Sequence, residues 1–271
     1  MENIFSLKDK VIVVTGATGI LGHSFIEAIA KAGAIVGVLG RNAAVANERA
    51  KSINESGGTA IPLIADVMNE EQLLAACRQM ITRFGKIDGL VNGAGGNRPD
   101  GVLQPGADIF DLKIDGLKEV MELNLLGTIL PTQVFGKEIA KNGKGSIVNI
   151  SSMTAQRAIT RVLGYSMAKA AVECYTKWFS VEVANRYNDK VRMNAIAPGF
   201  FLTEQNRSLL TKEDGGYTER GESVIKQTPF KRFGQPGELA GALVWLLSDA
   251  SQFVTGTVIN IDGGFSVYGG V

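Results

Sequence analysis

Tyr165 and Lys169 stand four residues apart, and Ser152 lies upstream of both. On a helix, positions four apart share a face, so phenol and ammonium would face the same space. A phenol titrates at about 10, too high for easy proton exchange at neutral pH. A neighbouring ammonium favours the phenolate and lowers that value. A serine hydroxyl on a nearby loop could bond the same reacting oxygen. This is chemistry for moving a proton to or from a carbonyl or alcohol oxygen. Far upstream, Gly16-Ala17-Thr18-Gly19-Ile20-Leu21-Gly22 follows the apolar run Val-Ile-Val-Val at 11–14. Glycines there permit a tight turn and close backbone approach. The helix N-terminus beyond them offers unpaired N–H groups and a positive dipole end to a phosphate. Together the two groups point to hydride transfer between a nicotinamide dinucleotide and an alcohol or ketone.

Holding such distant groups together requires a layered fold. Short apolar runs at 10–15, 34–39, 59–65, 89–92, 146–150, 190–195 and 258–261 read as strands. Pro62 places the third of these at a sheet edge. Longer amphipathic stretches at 20–32, 43–55, 70–84, 117–141, 164–186 and 239–247 read as helices. Residues 93–111 and 198–232 read as long irregular segments, the kind that often carries function. The alternation predicts an α/β protein: one doubly wound parallel sheet of about seven strands with helices on both faces. Ligands of such sheets bind at the strands' carboxyl ends, near the point where strand order reverses. The glycine turn, Asp66, 92–96, Ser152 and 198–203 all follow strand ends. A single domain over 1–271 is expected, with substrate loops at about 96–113 and 199–232.

Composition excludes several alternatives. The formal net charge of +1 gives no attraction to nucleic acid or an anionic membrane surface. Apolar runs are too short to span a bilayer, and the N-terminal stretch has no signal-peptide character. Cys77 and Cys174 are read as two half-buried free thiols of a reducing, cytoplasmic compartment. One histidine and two separated cysteines cannot build a clustered metal site, so no metal is expected.

At the end of the second strand stand Gly40 and Arg41, with no carboxylate. In dinucleotide folds an acid there grips the ribose 2′-hydroxyl, whereas an arginine accommodates a 2′-phosphate. The reading therefore favours NADP(H) over NAD(H). Asp66 could accept a hydrogen bond from adenine or cap the next helix.

With these residues in place, the chain resembles the classical short-chain dehydrogenase/reductase family over nearly its whole length. The matching stretches are 15–22, Asp66-Val67, Asn92–Gly95, Asn124, Ile150-Ser151-Ser152, Tyr165–Lys169, Asn194, Pro198-Gly199 with Thr203, and Asp262-Gly263-Gly264. The resemblance implies a Rossmann-like domain and a catalytic tetrad of Asn124, Ser152, Tyr165 and Lys169. Tyr165 would be the general acid/base and Ser152 would orient the carbonyl. Lys169 would bind the nicotinamide ribose and depress the Tyr165 pKa. Asn124 would hold a water that relays protons to Lys169. The cofactor would lie along Gly16, Thr18, Gly19, Ile20, Leu21, Gly22, Arg41, Asn42, Asp66, Val67, Asn92, Ala94, Gly95, Tyr165, Lys169, Pro198, Gly199, Phe201 and Thr203. Two departures from the family pattern are Ile20, preceded by Gly19, in the turn, and Gly93 where a second asparagine is usual.

The substrate loops carry polar groups suited to a hydroxylated acid. Asn97 and Arg98 follow the fourth strand. Gln156, Arg157 and Arg161 lie between Ser152 and Tyr165. Gln205, Asn206 and Arg207 follow Thr203, with Arg220 further on. Arginine suits a carboxylate through paired charge-assisted bonds, and amides suit sugar hydroxyls. The expected substrate contacts are Asn97, Arg98, Ser152, Arg161, Asn206 and Arg207. Residues 92–97, 197–207 and 262–268 are similar to the family's sugar-acid branch, which includes fructuronate reductases, D-mannonate oxidoreductases and gluconate dehydrogenases. That likeness implies reversible reduction of a keto-sugar acid. Two other readings stay open: a reductase of another carbonyl such as a 3-oxoacyl thioester, and a non-catalytic nucleotide-binding or scaffold protein. Family analogy implies a homotetramer or homodimer.

Overall fold

Seven all-parallel strands run in the order β3-β2-β1-β4-β5-β6-β7. They are β1 (Val11–Thr15), β2 (Ile35–Gly40), β3 (Thr59–Ile64), β4 (Gly89–Asn92), β5 (Gly145–Ile150), β6 (Val191–Pro198) and β7 (Val258–Ile261). This computed structural model describes residues 3–270, except the side chains of Glu204 and Gln205. Strand β3 pairs only with β2, so Pro62 does sit on an edge strand. The order reverses between β1 and β4, where Thr15 pairs with Asn92.

Alternation along β1 shows why helices cover both faces. Ile12 and Val14 face one core, packing with Phe25, Ile26 and Ile29 of α1 (Ile20–Lys31) and Leu243, Leu246 and Leu247 of α9 (Ala240–Leu247). Val11 and Val13 face the other. There they meet Leu73 and Met80 of α3 (Glu70–Phe84), Phe135 and Ile139 of α5 (Gly127–Asn142), and Val183 of α6 (Leu163–Tyr187). Helix α2 (Ala43–Glu55) begins with the Asn42 side chain accepting from Val45 N.

Three expectations need correction. The helix read as continuous over 117–141 starts earlier, as α4 (Ile114–Met121), and passes through one π-helical turn (Glu122–Leu126) before α5. Asn124 lies in that turn, and bulges of this kind recur at functional sites. Segment 198–232 is not irregular throughout. It holds α7 (Glu204–Leu210) and α8 (Glu219–Gln227). Both announce themselves by short-range caps: Asn206 Oδ1 accepts from Thr203 N, and Thr218 Oγ1 from Gly221 N. The glycine-rich connection between α7 and α8 hid these short helices from periodicity. The cysteines also differ from expectation, because Cys77 is buried and Cys174 exposed rather than both half-buried.

Candidate active site

Close packing demands the glycines of the first turn. Gly16 has φ +66°, and a Cβ there would stand 2.6 Å from Gly93 O. A Cβ on Gly22 would stand 2.2 Å from Gly16 O. At Gly40 it would meet Thr18 Cγ2 at 2.5 Å, so the turn packs directly on the end of β2. Gly19 caps α1 without any side-chain bond, and the first helical turn carries no acid. The N–H groups opening α1 thus have no intrahelical acceptor. A dinucleotide pyrophosphate matches that donor set and dipole, so the residues fit such a cofactor. Sequence reading missed Arg49 of α2. Its guanidinium donates to Gly19 O at 2.7 Å and also to Ala17 O, bracing the turn. Only folding brings α2 over this turn, so no local motif marks it.

Thr15 ties the glycine turn to the next strand end, since its Oγ1 accepts from Gly93 N at 3.1 Å and Ala94 N at 3.2 Å. A Cβ at Gly93 would lie 2.8 Å from Thr15 O, so glycine suits this close approach. Asn92 donates to Thr132 Oγ1 at 2.9 Å and Asn149 Oδ1 at 2.8 Å. At the adenosine end, Arg41 lies 3.6 Å from Asp66, whose Oδ1 also accepts from Met68 N. Asn69, not Asp66, caps α3.

Beyond the switch point lies the proton-transfer group. Ser152, 7% exposed, follows β5 and lies beside the Tyr165 phenol. Lys169, 3% exposed, donates to Ile150 O at 2.7 Å, and its Nζ stands 5.4 Å from the Tyr165 ring centroid. The structure brings the tetrad side chains together, with Asn124 Oδ1 and Lys169 Nζ both close to Gly95. Burial pushes the Tyr165 phenol up, and the Ser152 hydroxyl only partly opposes it. Burial also pushes the Lys169 ammonium down, to about 8. Asn124 is fully buried and spends its amide on the chain. It donates to Gly96 O and Val120 O, both at 2.8 Å, and accepts from Gly96 N at 3.0 Å. A Cβ on Gly95 would lie 2.5 Å from Asn124 Oδ1, so the side chain presses this turn toward Lys169.

On the far side, β6 ends at Pro198, and Gly199 approaches Asp262 so closely that a Cβ would sit 2.6 Å from its Cα. Phe201 is buried and Phe200 stacks edge-on to Phe265 at 5.3 Å between centroids. A groove of about 390 Å³ is lined by Ile20, Leu202, Arg207, Tyr217 and Phe233. Arg207 accordingly faces the glycine-turn side. Among the expected substrate contacts, Asn206 is occupied by the segment that leads into its helix, donating to Phe201 O at 2.8 Å and accepting from Thr203 N. Asn97 is exposed and Arg98 half-buried. Gln156 is bound to Asn260 and to the buried Glu173, and Arg157 to Tyr268 O. The Gln205 side chain lies outside the described residues. Glu173 also accepts from Ser151 Oγ at 3.0 Å, linking the serine loop to α6, a contact sequence reading missed.

Comparison with known proteins agrees with this geometry. A family model described as enoyl-(acyl carrier protein) reductase matches residues 16–266. The oxidoreductase UxuB of Bacillus subtilis (strain 168), itself uncharacterized, is 41% identical, with 98% of each chain covered. A Haemophilus influenzae structure with bound NAD, provisionally named a D-mannonate oxidoreductase, is 40% identical with TM-score 0.90, covering 99% of this chain and 100% of that one. A gluconate 5-dehydrogenase from Burkholderia cenocepacia J2315, in complex with NADP and tartrate, is 31% identical with TM-score 0.87, covering 97% and 98%. With the parallel sheet, the glycine turn and the serine–tyrosine–lysine group in one place, the chain belongs to the short-chain dehydrogenase/reductase family, oxidoreductases that act on hydroxyl and carbonyl groups with a nicotinamide dinucleotide.

Proposed function

We infer that this protein interconverts a keto-sugar acid and its hydroxy acid, with NADP(H) favoured over NAD(H). The substrate class rests on the polar side chains carried by the loops that flank Ser152 and Tyr165 in the chain. Arg98 and Arg161 are half-buried, and neither forms an ion pair among the described residues. The mannonate and gluconate names of the two structural relatives agree with this reading. When bound, the nicotinamide supplies the hydride to the carbonyl carbon or takes it from the alcohol. Ser152 holds the carbonyl oxygen, and Tyr165 gives that oxygen its proton in reduction and removes it in oxidation. Lys169, seated against Ile150 O, places a positive charge beside the phenol while it is protonated.

Cofactor preference rests on Arg41, which follows β2 where the sequence offers no acid of its own, although folding sets Asp66 3.6 Å from its guanidinium. A self-associating homotetramer or homodimer suits the apolar side chains on the outer face of α6, where Trp178 and Val181 are exposed. No helix of the described residues is long and apolar enough to cross a membrane. The test is NADPH and NADH oxidation by purified protein against keto-sugar acids, neutral ketoses and an acetoacetyl thioester, for the parent and Arg41→Ala. Activity on a keto-sugar acid, with Arg41→Ala losing more with NADPH than with NADH, is the expected result. Activity confined to the thioester would discard the substrate reading. Cofactor binding without turnover on any carbonyl would favour a nucleotide-binding role.

A further inference from the structure

We propose that Arg161 and Arg220 form a two-arginine clamp for the substrate carboxylate, a proposal that rests on the keto-acid reading above. Three segments distant in sequence meet at these side chains. Arg161 comes from the loop between Ser152 and α6, and Arg220 from the first turn of α8. Leu103 comes from the loop after β4. Arg161 is locked onto Leu103 twice: its Nε donates to Leu103 O at 2.8 Å, and Leu103 N donates to Arg161 O at 2.9 Å. The same residue holds φ +78°, a left-handed conformation that residues with a side chain adopt rarely. Its two terminal nitrogens have no acceptor among the described residues. Arg220 closes from the other side, with long bonds from Nη1 to Thr160 Oγ1 at 3.3 Å and from Nη2 to Thr160 O at 3.5 Å. The Arg220 guanidinium thus meets the chain at Thr160, the residue next to Arg161, whose own guanidinium reaches Leu103.

Their electrostatic situation points to an anion. Arg41, Arg186 and Arg232 each have a carboxylate partner. Arg161 and Arg220 have none among the described residues, although both are half-buried. Burial, and next the like charge of Arg161, push the Arg220 guanidinium down. A carboxylate between them would remove that repulsion and accept paired charge-assisted bonds from either fork. The clamp is near the chemistry, because Arg161 precedes Tyr165 by four residues, a reach of at most about 14 Å. It lies on the β5–α6 side, whereas Arg41, the candidate for a cofactor phosphate, ends β2.

The experiment measures kcat/KM for a keto-sugar acid and for a neutral ketose of the same chain length, in the parent, Arg220→Gln, Arg220→Lys and Arg161→Gly. Glycine suits the left-handed backbone, so Arg161→Gly removes the guanidinium without straining the turn. The expected result is that the parent prefers the acid, and that each neutral substitution cuts the acid-to-neutral ratio about 10- to 100-fold, the worth of one charged hydrogen bond. Arg220→Lys restores part of the ratio, and the NADPH dissociation constant stays at the parent value. A parent that prefers the acid, with the ratio unmoved in the neutral variants, overturns the clamp and leaves the proposed function standing. A weakened NADPH constant in those variants overturns it too, by assigning the arginines to the cofactor. A parent indifferent to the carboxylate overturns the substrate reading and the clamp with it.

Discussion

Replacing Lys169 with methionine should abolish turnover, yet leave the ligand-free protein as stable as the parent or more so at neutral pH. Lys169 is 3% exposed and titrates at about 8 instead of 10.5, with burial as the cause. At about 1.4 kcal/mol per unit, folding favours the neutral amine by about 3 kcal/mol. Methionine removes that penalty but leaves Ile150 O without its donor, a loss of about 1–3 kcal/mol. The two terms nearly cancel at pH 7. The pH dependence separates them. Because the folded pKa lies below the unfolded one, the unfolded chain binds more protons between about 8 and 10.5. The parent's stability contribution from this residue is therefore full above 10.5, and is lost as pH falls toward 8. Methionine has no such titration. Urea denaturation of both proteins at pH 7.5 and 9.5, at one protein concentration, should show the parent gaining about 2 kcal/mol on the variant. A difference constant to within about 0.5 kcal/mol, finer than the expected gain, would show that Lys169 keeps its ordinary pKa and refute the desolvation account.

Three other substitutions probe the rest of the site. Tyr165→Phe should lower turnover by about 10²- to 10⁴-fold while dinucleotide affinity, read by fluorescence titration, stays near the parent's; retained turnover would sink the proton-transfer role. Asn124→Ala strips partners from both the N–H and the carbonyl of buried Gly96, at about 3 kcal/mol, so the thermal midpoint should fall by roughly 6–12 °C. An unchanged midpoint would mean the π-helical turn holds without that amide. Gly22→Ala places a Cβ 2.2 Å from Gly16 O. The turn must open, and dinucleotide affinity should drop at least about tenfold for the loss of one phosphate-binding N–H; a parent-like constant would contradict the close-approach argument.

Much of the scaffold was legible in residue order. Apolar period and glycine stops place the seven strands to within a few residues, and Pro62 marks its strand as an edge because a proline cannot serve a central ladder. The spacing of Tyr165 and Lys169 suffices to put them on one helical face. Short helices were less legible: α7 and α8 are held by caps at Thr203 and Thr218 rather than by a long apolar stripe. The π-helical turn at Asn124 likewise has no period of its own.

Tertiary packing alone decided the electrostatics. A sequence can place an ammonium beside a phenol, but not say how much water either keeps. Burial pushes the Lys169 ammonium down and the Tyr165 phenol up, shifts that their spacing in the chain does not reveal. Packing also decided which polar loop residues stay available: Asn206 and Gln156 are spent on the chain itself, while Arg220 is brought to Thr160, beside Arg161 and sixty residues earlier in the chain. Local sequence sets backbone preference and chemical type. Long-range packing sets desolvation and hydrogen-bond partners, and those determine what each group at the site can do.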